Sequence, residues 1–253
     1  MSPQAINGKE AADGNKRPDD GGEDGPASPA QHSVRSYVLR QGRLTKAQAD
    51  AIERYWAQFG IEHRDELLDL HALFNRDAPR ALDIGTGMGE TTLKLALENP
   101  ENDYLAVEVH RPGIGRLLYG IAEYGLTNIR VINHDAVDVI NRQIPEESMT
   151  SIYIHFPDPW PKKRHHKRRL VQPGFINRLT TRMKTEGQLY IATDSPDLAE
   201  YMLAVCDAET GLINLAGHGH FSPRPLWRPL TKFEQRGLEL NNRIRELIYC
   251  RRI

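Results

Sequence analysis

The chain has 253 residues, of which 39% are apolar, 26% charged and 7% aromatic, enough apolar matter for one large core and too much for a chain disordered throughout. No stretch approaches the ~20 apolar residues that cross a bilayer, and the opening MSPQAINGKE has no apolar run of a secretory leader, so a cytoplasmic protein with no membrane partner is expected. The net charge of −1 conceals three basic segments: 33–49 with four cations and no acid, 162–169 with six cations, and 224–253 with eight basic against three acidic residues.

Residues 1–32 hold only seven apolar side chains, without period, among five glycines and four prolines; the composition predicts a disordered tail, followed by a single domain over 33–253. Order is expected near Val34-Arg35-Ser36-Tyr37-Val38-Leu39, and Thr45 reads as the N-cap of a helix from Lys46 toward Trp56. From Arg80 onward, short apolar runs alternate with longer amphipathic ones. Ala81-Leu82-Asp83-Ile84 reads as a strand, 91–99 as a helix and 104–109 as a strand. Further strands are expected at 129–132, 151–156 and 189–192, and helices at 113–124, 173–184 and 196–206, with two more strands at 211–215 and 244–249. This alternation predicts an α/β fold, a mostly parallel central sheet with helices on both faces. Cys206 and Cys250 stand singly without ligand spacing, and His63, His71, His110, His165 and His166 form no metal pattern, so neither a disulfide framework nor a metal site is expected.

Between the first of these strands and its helix lies Gly85-Thr86-Gly87-Met88-Gly89-Glu90. Alternate glycines there let a ligand approach the backbone, because no Cβ intervenes; a tight structural turn would use the same residues. Asp83 in the strand, Glu108 at the end of the next and Asp135 after the third are all expected at the carboxyl edge, where such sheets bind ligands. A carboxylate at Glu108 can accept from both hydroxyls of a ribose, and one at Asp135 can face an adenine amino group. The spacing is G-x-G-x-G and not the G-x-G-x-x-G of dinucleotide sites, and the acid Glu90 opens the helix where a pyrophosphate would need a positive end. That suits a cationic cofactor such as S-adenosylmethionine, although Glu90 also fits a simple first-turn acid.

Phe156-Pro157-Asp158-Pro159-Trp160-Pro161 closes the 151–156 strand with three prolines around one aspartate, a loop stiff enough to hold a carboxylate without reorganisation. The basic run of 162–169 follows at once and reads as a phosphate clamp. Asp194 follows the 189–192 strand and fits either a cap for the next helix or a substrate contact. The run 228–234 is too polar for core.

These motifs resemble one family. Ser36-Tyr37-Val38-Leu39-Arg40-Gln41-Gly42-Arg43, Asp83-Ile84-Gly85-Thr86-Gly87-Met88-Gly89, Glu108-Val109-His110, His134-Asp135-Ala136, Phe156-Pro157-Asp158-Pro159-Trp160-Pro161-Lys162-Lys163 and Thr231-Lys232-Phe233-Glu234 together look like bacterial tRNA (guanine-N7)-methyltransferases, over about residues 34–250. The resemblance implies a Rossmann-like class I methyltransferase fold, S-adenosylmethionine as methyl donor, and N7 of the variable-loop guanosine of tRNA, position 46, as acceptor. It implies Asp158 as catalytic residue, and Asp83, Gly85, Gly87, Glu108, Asp135 and Asp158 around the cofactor. It places substrate contacts at Lys162, Asp194, Thr231, Lys232, Phe233 and Glu234, and RNA contacts at Arg164, His165, His166, Lys167, Arg168 and Arg169. Many members have glutamate where Asp83 stands, and the tail matches nothing in the pattern. Two competing readings are a nicotinamide oxidoreductase on a similar frame, and an RNA-binding protein with a decayed cofactor pocket.

Overall fold

The computed structural model describes residues 35–37, 42–230, 234–235, 239 and 243–253. The expected tail over 1–32 and the contacts expected at Thr231, Lys232 and Phe233 lie outside the described residues. The elements run α1 (Lys46–Phe59), β1 (Gly60–Ile61), α2 (Leu70–Phe74), β2 (Arg80–Ile84), α3 (Glu90–Glu98), β3 (Asp103–Val107), α4 (Arg111–Glu123), β4 (Ile129–Ile132), α5 (Ala136–Arg142) and β5 (Met149–His155). After a 3₁₀ turn at Lys163–Arg168 come α6 (Pro173–Arg182), β6 (Met183–Thr193), α7 (Pro196–Asp207), β7 (Leu212–Asn214) and β8 (Arg245–Arg251). Among the described residues no helix is long and apolar enough to cross a membrane, and no cluster of His, Cys, Asp and Glu is placed to hold a metal ion.

The expected elements are present, with adjustments that have local causes. Thr45 caps α1 through a reciprocal capping box with Gln48. β6 begins at Met183, inside the stretch expected to be helix, because that buried methionine pairs with Met149 of β5. Four short elements had no counterpart in the periodicity: β1, α2, α5 and the 3₁₀ turn.

The eight strands form one sheet in the order β1-β4-β3-β2-β5-β6-β8-β7. Strands β1 to β6 are parallel and β8 and β7 close the edge antiparallel, the Rossmann-like arrangement that the resemblance implies. Leu82, Ile84, Leu105 and Val107 pack on one face with Ile140, Ile176, Leu179, Leu198 and Met202 of α5, α6 and α7. Ala81, Tyr104 and Ala106 pack on the other with Ala51, Leu93, Ala96, Leu117 and Ile121 of α1, α3 and α4. From β2 the chain winds outward through β3 to β4 and then returns to the far side of β2 to form β5. At this switch point the loops leaving β2 and β5 part company, and a crevice opens above the carboxyl ends of the strands.

Candidate active site

The loop from Ile84 to α3 forms one wall of the crevice. Gly85, Gly87 and Gly89 have φ of +75°, +59° and +78°, left-handed values that side chains rarely adopt. The loop is pinned on both sides: the Gly85 N–H donates to the carbonyl of Val107 at 2.8 Å, and the Gly87 N–H donates to Glu108 Oε2 at 2.8 Å. A Cβ added at Gly85 or Gly87 would meet nothing within 4 Å, whereas one at Gly113 of α4 would come within 2.1 Å of the Gly87 carbonyl oxygen. The first turn of α4 therefore presses the loop from behind and leaves its front open. Thr86 Oγ1 is buried there without a hydrogen-bond partner, so the cradle offers backbone and one uncommitted hydroxyl to a ligand. Glu90 is exposed in the first turn of α3, where its charge complements the helix dipole.

The three acids of this wall are bound in different ways. Asp83, 3% exposed, accepts from the Thr92 hydroxyl at 2.5 Å, and burial pushes its carboxyl up from 3.8 to about 6. It lies under the loop and supports it. Glu108 accepts from the N–H groups of Gly87, Val109 and His110 at 2.8, 2.7 and 2.8 Å, which fixes the carboxylate at the mouth between β3 and α4. Asp135 is the N-cap of α5 and accepts from the Val137 N–H at 2.9 Å; burial raises its pKa against that bond. These residues fit S-adenosylmethionine: a cradle of open backbone, and two fixed carboxylates, Glu108 and Asp135, that would be able to accept from a ribose and a base.

The opposite wall is the loop after β5. The Phe156 N–H donates to the carbonyl of Ala192 at 2.8 Å, and Phe156 and Trp160 both take left-handed φ, 51° and 45°. Bulky residues hold such values only where their surroundings over-determine them, and these two bracket Pro157-Asp158-Pro159. Asp158 is exposed and accepts no hydrogen bond among the described residues. The Trp160 indole N–H donates to the carbonyl of Ser36 at 3.1 Å, and the Arg168 guanidinium stacks 4.1 Å above the Trp160 ring while donating to the carbonyls of Arg35 and Tyr37. The first two basic segments of the sequence thus meet beside Asp158.

The basic run divides. Lys162, Lys163, Arg164 and Lys167 are exposed, His165 and His166 half-buried. Arg169 corrects the expectation of an RNA contact: its side chain is 1% exposed and turned inward, donating to Asp197 and to the Pro159 carbonyl and lying over the Tyr201 ring. It anchors the proline loop from beneath. Asp194 is half-buried at the end of β6, and the cap of α7 is Ser195, which accepts from the Leu198 N–H, so capping is not the role of Asp194.

The second correction concerns Arg228 and Glu234, which belong to a run expected to be too polar for core. Arg228 and Glu234 are 2% and 1% exposed and pair at 2.7 Å; two opposite charges that cancel can enter a core that neither could enter alone. Glu234 is thereby held in an internal ion pair with Arg228 and Arg224. Sequence reasoning also passed over His155, whose ring is pushed down to about 3 by burial and the nearby Arg228 and is therefore neutral. Nothing in its spacing marks it, since the charged groups that act on its ring, Arg228 and Glu234, lie more than 70 positions on.

The family described as "Putative methyltransferase" matches residues 77–247. Curated tRNA (guanine-N(7)-)-methyltransferases of Nitrosospira multiformis and Hydrogenovibrio crunogenus are 51% and 48% identical to the chain, covering 85% and 86% of it and 93% and 91% of their own lengths. That of Leifsonia xyli subsp. xyli is 51% identical over 85% of the chain and 94% of its own length. Among solved structures, the 16S rRNA methyltransferase KamB superposes with a TM-score of 0.55 at 16% identity, over 74% of this chain and 95% of that one, which shows a shared class I methyltransferase fold. With identity of this order along most of both sequences, the chain belongs to the tRNA (guanine-N(7)-)-methyltransferase family.

Proposed function

We propose that the protein transfers a methyl group from S-adenosylmethionine to N7 of a guanine in tRNA, the variable-loop guanosine at position 46. The observation that carries this reading is Asp158: a carboxylate with no protein partner among the described residues, on a loop held at both ends, across the crevice from an open glycine cradle and beside exposed cations. The relatives' shared name supports N7 of a guanine in tRNA as the acceptor.

The donor supplies a methyl group on a sulfonium, an electrophile that needs no activation. Guanine N7 carries an in-plane lone pair and no proton, so no general base is required, and the work left to the chain is orientation and charge placement. Glu108 and Asp135 orient the ribose and base, and the backbone of 85–87 receives the amino acid portion. Methylation leaves the base cationic; Asp158 faces that developing charge from a position already fixed by folding. Lys162 and Asp194 stand on the same side for the acceptor nucleotide. Lys163, Arg164 and Lys167 meet phosphates, which set affinity and register without reading sequence. N7 lies on the Hoogsteen edge, so a base engaged in tertiary pairing must be released or flipped to be reached. This reading places the protein in the cytoplasm with its RNA.

The test is single-turnover transfer to bulk tRNA followed by nucleoside analysis. The expected product is 7-methylguanosine; any other methylated nucleoside from the native enzyme overturns the reading.

A further inference from the structure

Pro225-Leu226-Trp227-Arg228 forms a tight turn, closed by the Arg228 N–H donating to the Pro225 carbonyl at 3.2 Å, with Leu226 and Trp227 at its corners. Glycine, proline, asparagine, aspartate and serine dominate such turns, each for a backbone reason that neither leucine nor tryptophan shares. Here Leu226 is fully exposed, and Trp227 and Leu230 are 36% and 50% exposed, three large apolar side chains within five positions. Exposed apolar residues scattered singly need no explanation, whereas a group of them on one turn marks a surface that something else covers.

The turn is held so that it cannot fold these side chains away. The Arg224 guanidinium donates to the Arg228 and Pro225 carbonyls at 2.7 and 3.3 Å, and the buried Arg228 side chain pairs with Glu234 and Glu246. The Trp227 ring stands at 86° to Tyr190 of β6 and 62° to Tyr153 of β5, with centroids 4.9 and 5.6 Å away. Tyr153 is the register partner of Asp83, and Tyr190 that of Tyr153, so this aromatic row begins under the glycine loop. Arg228 also lies 5.8 Å from the centre of the Phe156 ring, at the start of the Asp158 loop. The turn thus stands at the margin of the crevice, between its two walls and the solvent.

Three side chains fall far short of the ~800 Å² that each partner of a stable protein pair contributes, which argues against a second copy of the chain. They suit a single heterocyclic base: every base has a π face, and a fixed aromatic ring stacks on it without regard to sequence. The geometry points to the 225–228 turn as a docking point for RNA, where a nucleobase of the tRNA, released from its own stack, packs against Trp227 with Leu226 and Leu230 beside it. This rests on the proposed function, in which RNA lies over the crevice; there the exposed cations hold phosphates, and Trp227 holds a base.

Three variants test it: Trp227→Ala, Trp227→Phe and Leu226→Glu. Each is measured for melting temperature, cofactor affinity by calorimetry, and tRNA affinity at several salt concentrations, and the wild type and Leu226→Glu are sedimented over a range of concentrations. Trp227→Ala should bind tRNA roughly five- to a hundredfold more weakly with the salt slope unchanged, because stacking neutralises no phosphate. Trp227→Phe should keep most of the affinity, and the cofactor should bind all three normally. Leu226 is fully exposed, so Leu226→Glu should melt like the wild type yet bind tRNA several-fold more weakly, and it decides the matter if Trp227→Ala does not fold. Wild-type tRNA affinity in Leu226→Glu, or in folded Trp227→Ala, overturns the inference. So does a wild-type dimer that Leu226→Glu dissociates, which would give the patch to a second copy. These are binding measurements, independent of methyl transfer; absence of 7-methylguanosine from the wild-type products would defeat the proposed function and leave the binding ratios as they are.

Discussion

Asp83, Glu108 and Asp135 each accept hydrogen bonds from neighbouring protein groups, whereas Asp158, across the crevice, accepts none among the described residues. Both walls are preorganised, by different means. On the glycine-loop side the side chains are held by donors: a hydroxyl for Asp83, three N–H groups for Glu108, the first turn of α5 for Asp135. On the other side the backbone is held, by prolines and by left-handed residues at each end of the loop, and the carboxylate is left with its lone pairs uncommitted. A small cofactor needs a receptor whose shape is complete. A carboxylate that must answer to charge developing on a large, departing substrate is more useful unbound but immobile.

The comparison breaks most sharply at Gly87. A valine there would be forced toward φ +59° at a strain of about 1 to 3 kcal/mol, and its side chain would occupy the open front of the cradle. Gly87→Val should lose measurable cofactor binding. Calorimetry on the folded variant checks this, and wild-type affinity would put the cofactor elsewhere. On the opposite wall, Asp158→Asn keeps size and removes charge. It should slow single-turnover transfer by about a hundred- to a thousandfold, the ~2.7–4 kcal/mol typical of one preorganised electrostatic group, while cofactor and tRNA affinity persist. Because N7 carries no proton, the loss should persist across a broad pH range, with no ionisation needed for attack disappearing. A wild-type rate in the variant would remove Asp158 from the chemistry.

The two walls were also unequally legible in the sequence. The β2–α3–β3 unit could be read because two short apolar runs and an amphipathic helix between them bracket the glycines. β1 has two residues and α2 five, too few for any period, and α5, seven residues long, is announced only by its cap, Asp135, which the sequence also offers as a ligand. The proline loop could be read because proline restrains the backbone wherever it occurs. Which cation of 162–169 turns inward could not, because the partner of Arg169 is Asp197, 28 positions on. For the same reason 228–234 looked too polar for core: Arg228 and Glu234 are buried only because they meet each other, Arg224 and Glu246.

Asp83 sharpens the glycine-loop side of the comparison, since a carboxyl buried beneath the loop makes the wall sensitive to pH. Its folded pKa of about 6 lies above the ordinary 3.8, so the protonated form is the one the fold favours. The associated stability is fully present below pH ~4 and is lost as pH rises through about 6, by about 3 kcal/mol in all. Asp83→Asn has no such proton to lose. Denaturant unfolding of the cofactor-free proteins from pH 3.5 to 7.5 should therefore show the wild type falling relative to the variant by about that amount. A constant difference across the window would mean that Asp83 titrates like an exposed carboxyl.

The smallest expected effect separates the cations within the Asp158 side itself. Lys163, Arg164 and Lys167 are exposed and form no ion pair among the described residues, while Arg168 is stacked on Trp160 and Arg169 is paired beneath the loop. Replacing the first three by alanine should weaken tRNA binding and reduce the slope of log affinity against log salt by ~0.7 to 0.9 for each phosphate no longer neutralised, with cofactor affinity and melting temperature unchanged. Arg169→Ala should do the reverse. It removes the donor to the Pro159 carbonyl and the stacking on Tyr201, so the melting temperature should fall while the slope stays near that of the wild type. Binding titrations at four or five salt concentrations distinguish the two behaviours. An unchanged slope in the triple variant would put the RNA on another face, and a reduced slope in a stable Arg169→Ala protein would return that guanidinium to the RNA surface.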